Sequence, residues 1–258
     1  MATTAAAVNL RAARGFGRDE LIQRAAVVLL IAWLAVTVLM PIWALLSKSF
    51  QGADGQWAGL DNYIRYFSTP TLIASLWNSL FVAALTTAIV LPLAFVYAYA
   101  LTRSRMPMKG VFQAISLVPI LAPSLLPAIA LVYLFGNQGI FKSWFDDGAI
   151  YGWPGIVIAQ VFYCFPHALM ILVTALSTAD ARLYEAADAL GAKRWRVFRT
   201  VTLPGARYGV ISAAFVIFTL VITDFGIAKV IGGQFNVLAT DIYKQVIGQQ
   251  SFEMGAVV

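Results

Sequence analysis

Apolar residues in this chain come in long unbroken blocks, without the short alternation expected of half-buried soluble elements. Charge-free runs cover residues 25–47, 66–102, 110–141, 148–179 and 208–223. A helix that crosses a bilayer needs about 20 largely apolar residues, because each adds about 1.5 Å across a core about 30 Å thick. The pattern therefore predicts five spans, at about 24–47, 75–101, 111–135, 153–177 and 208–228, with the start of a sixth from 254. Between them lie loops at 48–73 and 229–253 on one side and a long polar loop at 178–207 on the other.

Composition agrees. The 258 residues are 60% hydrophobic and only 12% charged, with a mean hydropathy of +0.79, too few charges to coat a soluble domain. Disorder and disulfide scaffolds are excluded by the same hydrophobicity and by a single cysteine. The net charge of +6 admits a nucleic-acid patch or a membrane topology signal. Thirteen of the 18 basic residues fall in the N-terminal tail, the second-to-third loop and the 178–207 loop, and five on the opposite side. That asymmetry places the N-terminus inside, with residues 1–23 as a cytoplasmic tail, and leaves no surplus to suggest nucleic acid. A cleaved signal peptide fits poorly, since the first apolar run is too long and no small-residue cleavage site follows.

The inside loop holds the most information. Asp180 is placed to cap a helix, and Leu183, Ala186, Ala187 and Leu190 recur on one face beside Glu185 and Asp188. Gly191 can adopt the left-handed conformation that ends such a helix. A second amphipathic segment carries Trp195, Phe198, Val201 and Thr202, and is expected to stop at Leu203-Pro204, where a backbone donor is missing. A small, smooth Ala surface of this kind suits insertion into a groove of another protein.

Glu185-Ala186-Ala187, Gly191 and Leu203-Pro204 match the "EAA" loop of ABC-importer permeases, which this chain resembles. The resemblance implies an all-α polytopic bundle of the type I ABC importer class, with residues 74–258 as its transmembrane domain. It also implies a coupling helix that docks on cytoplasmic ABC ATPase subunits, with Glu185, Ala186, Ala187, Asp188, Leu190, Gly191, Leu203 and Pro204 as the coupling residues. The further implied partners are a periplasmic substrate-binding protein, a second permease half and membrane lipid, in a bacterial inner membrane. Stretches such as "FPHALMILVTALS", "LYEAADALGA" and "TDFGIAKVIGGQFNVLATDIYKQVIGQQ" look like 2-aminoethylphosphonate permeases, which are related to iron(III) and polyamine permeases. Many of those carry two six-helix halves, and this chain looks like a first half that stops within its sixth helix. Ala228 stands where the group often has Pro.

Among single residues, Asp224 lies near the end of the fifth span. It reads either as a pathway or gate group that meets a substrate amine, or as an interfacial carboxylate paired with Lys229. Pro119, Pro123 and Pro127 in the third span, and Pro92 in the second, read as breaks along a pathway or as simple kinks. His167 reads as a packing histidine, and Gly205 to Gly209 as a close-contact pattern. No phosphate loop, zinc pair or nucleophile-base arrangement is present in the sequence, so no cofactor, metal or catalytic residue is expected and ATP must be hydrolysed by another subunit. The rival readings are a membrane-embedded enzyme and a non-transporting scaffold.

Overall fold

The computed structural model describes residues 18–145 and 149–258. Most of the expected N-terminal tail, including Arg11 and Arg14, lies outside the described residues. Every regular element among the described residues is helical; Gln51 and Trp57 make one isolated antiparallel bridge.

Helix α1, Arg18–Ser49, is continuous through a widened π segment at Ala35–Leu39 and runs longer than the expected first span at both ends. Only its last residue, Ser49, is buried. That foot is held by the Asn62 side chain, which donates to the Ser49 and Gln51 carbonyls, and by a 2.8 Å contact between Ser49 Oγ and the Tyr63 hydroxyl. Asn62 and Tyr63 belong to α2, Asp61–Ser68. In the same helix the Tyr66 hydroxyl donates to the Leu72 carbonyl, and burial, followed by the Asp241 carboxylate, raises its pKa above the usual value.

The bundle proper is α3 (Pro70–Arg103), α6 (Trp153–Ser177) and α9 (Arg207–Ile222), each packed on the other two. Its interior is built from Val82, Val90, Ala94 and Ala98 on α3, Ala159, Leu169 and Leu172 on α6, and Ala213 and Ile217 on α9. Lipid is as apolar as these side chains, so close packing of small residues, not transfer from water, drives the association. The Gly205 to Gly209 pattern serves that purpose. A Cβ on Gly209 would sit 2.2 Å from the Ala175 Cβ of α6. Pro92 and Pro166 lie inside α3 and α6, and both helices run through them unbroken.

The third apolar stretch departs from the straight span expected at 111–135. It forms α4, Lys109–Leu121, and α5, Leu125–Phe135, bent by 97°. The reason lies in Pro119, Pro123 and Pro127, which remove a backbone donor at four-residue intervals. Ala122, directly before Pro123, is forced into an extended conformation (φ −98°, ψ 139°). Pro127 falls in the first turn of α5, where its missing N–H costs nothing.

The fifth span also differs from the expected 208–228. α9 ends at Ile222, and a separate α10, Gly226–Ile231, follows a break at Asp224. The stretch expected as a loop at 229–253 contains α11, Leu238–Tyr243, continued by a π segment Lys244–Gly248, and α12, Phe252–Gly255, begins within it. Among the described residues three helices, α1, α3 and α6, are long and apolar enough to cross a membrane, and up to five spans result if each bent pair counts as one.

Candidate functional site: an exposed hairpin and two abutting helix breaks

The expected helix, turn and helix at 178–207 is present in detail. Asp180 Oδ1 accepts from the Arg182 N–H at 2.9 Å and starts α7, Ala181–Ala189. Gly191 sits at φ +63°. The Gly191 N–H donates to the Asp188 carbonyl and the Ala192 N–H to the Ala187 carbonyl, so the ends of α7 are satisfied by the two bonds of a Schellman turn. Nothing approaches within 4 Å of the position a Gly191 Cβ would occupy, so the turn is free on its outer side.

The second helix, α8, spans Arg194–Gly205 and continues one residue past Pro204, where it was expected to stop. A π segment at Phe198–Thr202 widens the helix just before the proline and takes up the missing donor. A 62° bend then joins α8 to α9. The hairpin leaves apolar side chains in the open: Leu183 is 55% exposed, Leu190 85% and Trp195 66%. Glu185, Ala186, Asp188, Leu203 and Pro204 are exposed as well, while Ala187 is half-buried. α7 is too short and polar to cross a membrane, and it leaves Leu183 and Leu190 open, while Trp195 stays exposed although its ring stacks on Phe198 at 5.4 Å.

Side chains that sequence reasoning counted only as charges or core tie this surface to the bundle. Arg103, at the end of α3, donates through Nη2 to the Leu176 carbonyl of α6 at 2.7 Å, and its guanidinium lies 4.1 Å from the Tyr184 ring of α7. The Tyr184 hydroxyl donates to Thr202 Oγ1 at 3.1 Å, which joins α7 to α8. Phe198 of α8 meets Phe95 and Tyr99 of α3 edge to face. These contacts join the hairpin to the ends of α3 and α6.

Deeper in the bundle the structure brings the two helix breaks together. α10 packs on α5, and a Cβ on Gly226 would stand 2.9 Å from Leu125 Cγ and 3.0 Å from Ser124 Oγ. Asp224 thus lies beside the elbow that contains Pro123 and Pro127. Its Oδ2 accepts from the Ile227 N–H at 2.9 Å, capping α10, and from Gln160 Nε2 of α6 at 3.1 Å. Gln160 is 1% exposed, and its Oε1 accepts from Cys164 Sγ at 3.8 Å. Lys229 does not pair with Asp224; it lies over the Tyr243 ring at 4.8 Å. His167 Nδ1 stands 3.0 Å from the Tyr163 carbonyl oxygen, as a packing histidine would. Gln160 was missed from sequence because a lone amide in an apolar helix carries no local pattern.

Similarity searches identify relatives of matching architecture. A ferric transport system permease protein of Actinobacillus pleuropneumoniae is 27% identical over 206 residues, covering 76% of this chain and 30% of that protein. A sulfate transport system permease protein of Escherichia coli K12 is 24% identical over 178 residues, covering 68% of this chain and 61% of that protein. A molybdenum transport system permease protein of the same strain is 31% identical over 152 residues, covering 57% and 66%. The chain thus spans about a third of the ferric relative's length and under two thirds of the sulfate relative's. In fold, it is similar to a chain of a bacterial ABC transporter involved in the import of the acidic polysaccharide alginate. The TM-score is 0.74 at 16% identity, with 93% of this chain and 88% of that chain covered. Residues 90–257 match the family model described as "Binding-protein-dependent transport system inner membrane component", and the chain belongs to that family.

Proposed function

We propose that this chain is a permease subunit, or half-subunit, of an ATP-driven importer, and that α7 and α8 are its coupling element. The observation that carries the reading is the exposed Leu183, Leu190 and Trp195 surface, clamped to the bundle through Tyr184 and Arg103. Closure of two ATPase subunits pushes on that surface, and the clamp passes the movement to α3 and α6. Glu185 supplies a polar anchor, Ala186 and Ala187 the close-packing face, and Gly191 the turn. The abutting breaks at Asp224 and Pro123 are the pathway or gate, because interrupted helices expose backbone polar groups where a solute passes. The surplus of basic residues puts the hairpin and the N-terminus in the cytoplasm of a bacterial cell. A second permease half completes the channel, and a periplasmic binding protein delivers the solute.

The solute is 2-aminoethylphosphonate or a close analogue, a reading supported by the sequence stretches that resemble permeases for that compound. Its amine would meet Asp224. The test is reconstitution of the chain with its second half, the ATPase and the binding protein in vesicles. Hydrolysis of ATP that rises with 2-aminoethylphosphonate, and falls without the binding protein, is the expected result. Hydrolysis driven instead by iron(III) or a polyamine would reassign the solute, and none with any solute would remove the permease reading.

A further inference from the structure

A cavity of about 700 Å³ opens between the end of α3 and the hairpin. Arg103 and Arg105 line it from α3 and the residues just after it, and Arg194 from the first position of α8. Tyr99 and Tyr184 supply its walls, and Asp188 is the one acid among the lining residues. Three guanidinium groups face one carboxylate, and among the described residues none of the three takes part in an ion pair. Such a surplus repels itself unless an anion is present.

Arg103 is preset. Its carbonyl contact and the Tyr184 ring fix the guanidinium, and its buried Nε–H finds no protein acceptor. The first N–H groups of α8 at Arg194 add the positive end of a helix dipole. Arginine's fork of donors binds the oxygens of a phosphate two at a time. The cavity volume falls in the range that holds a small ligand or headgroup. Arg103 ends a helix long and apolar enough to cross a membrane, so an anionic lipid headgroup is one source of such an oxyanion.

We propose that this cavity binds a phosphate-type oxyanion, carried by an anionic phospholipid headgroup or free in solution, which bridges α3 to α8 and fixes the hairpin against the bundle. The cavity shares Arg103, Tyr184 and Asp188 with the proposed coupling element, but retention of an oxyanion is read without ATPase or solute, so its failure is distinguishable from that of the permease reading.

The full chain, purified in neutral detergent, is offered phosphatidylglycerol or phosphatidylcholine and weighed intact by native mass spectrometry; inorganic phosphate is titrated in a parallel melt. Phosphatidylglycerol should be retained about tenfold over phosphatidylcholine, since each arginine near a charged headgroup contributes a few-fold. The double variant R105Q/R194Q should lose that preference, and D188N should strengthen it. Arg103 is left intact because its carbonyl bond is structural. A raised melting temperature with inorganic phosphate assigns a free oxyanion, and a preference for phosphatidylglycerol alone assigns a headgroup. Equal retention of both lipids with no phosphate response overturns the proposal, as does a preference that survives in R105Q/R194Q with its fold intact.

Discussion

The chain turns sharply at two places built on opposite principles. At Gly191 one residue reverses the path by adopting a positive φ, and no side chain crowds it. At Ala122–Ser124 prolines deny the helix its donors, and α10 is pressed against the result. The first turn depends on conformation alone and stays open to a partner. The second depends on packing on one side only, where Gly226 of α10 leaves no room for a Cβ, while Leu121, Pro123 and Leu126 stay exposed on the other. The two turns have been given different chemistry, backbone conformation alone at Gly191 and prolines with one tight glycine contact at the elbow.

Substitutions that exchange these principles should rank accordingly. Gly191→Pro is expected to have the largest effect, because proline cannot reach φ +63°. The distortion costs about 3 kcal/mol or more in the hairpin. Uptake in reconstituted vesicles should fall below detection while insertion, followed by protease protection, is unchanged; near-normal uptake would show that the hairpin does not couple. Gly226→Leu comes next, with an overpacking cost of about 1–3 kcal/mol against Leu125 and Ser124. It should lower the melting temperature of the purified chain; Gly191→Ala, free of clashes but strained at φ +63°, should cost about 1–2 kcal/mol.

Asp224→Asn preserves the α10 cap, because an amide oxygen still accepts from the Ile227 N–H. Its expected result is about tenfold slower uptake, equivalent to about 1.4 kcal/mol, with the melting temperature held. Unchanged uptake would end the pathway role of this carboxylate. Pro123→Ala is the mildest. It relaxes the constraint on Ala122 and gives the unfolded chain more freedom, for a loss of about 0.4–1 kcal/mol seen as a small drop in melting temperature.

The same contrast explains what the sequence disclosed. The hairpin was legible because everything that makes it lies within a few turns of chain: the Asp180 cap, the small apolar face, Gly191 and the segment after it. The elbow was half legible. Its prolines were visible, yet Pro92 and Pro166 look no different in isolation and leave their helices whole. What separates them is repetition, since Pro119, Pro123 and Pro127 fall on successive turns, while the other two each leave one donor missing. The links that join the turns to the bundle were not legible at all. Arg103 with Tyr184, and Gln160 with Asp224, are pairs between distant parts of the chain; Asp224 stands out as a lone carboxylate beside an apolar run, but nothing local marks its partner or either member of the other pair.

α1 has a mechanical consequence of its own. At about 1.5 Å per residue its 32 residues measure about 48 Å, well beyond a hydrocarbon core of about 30 Å. Held at its C-terminal end by Ser49 and by packing against α12, and largely exposed along the rest, it is expected to lean with bilayer thickness as an outrigger while α3, α6 and α9 keep their mutual angles. Spin labels at Val28 and on α6 should separate the two: in lipids of increasing chain length the first should reorient and the second should not. Changes in membrane thickness would then be absorbed at the edge of the molecule, before they reach its moving parts.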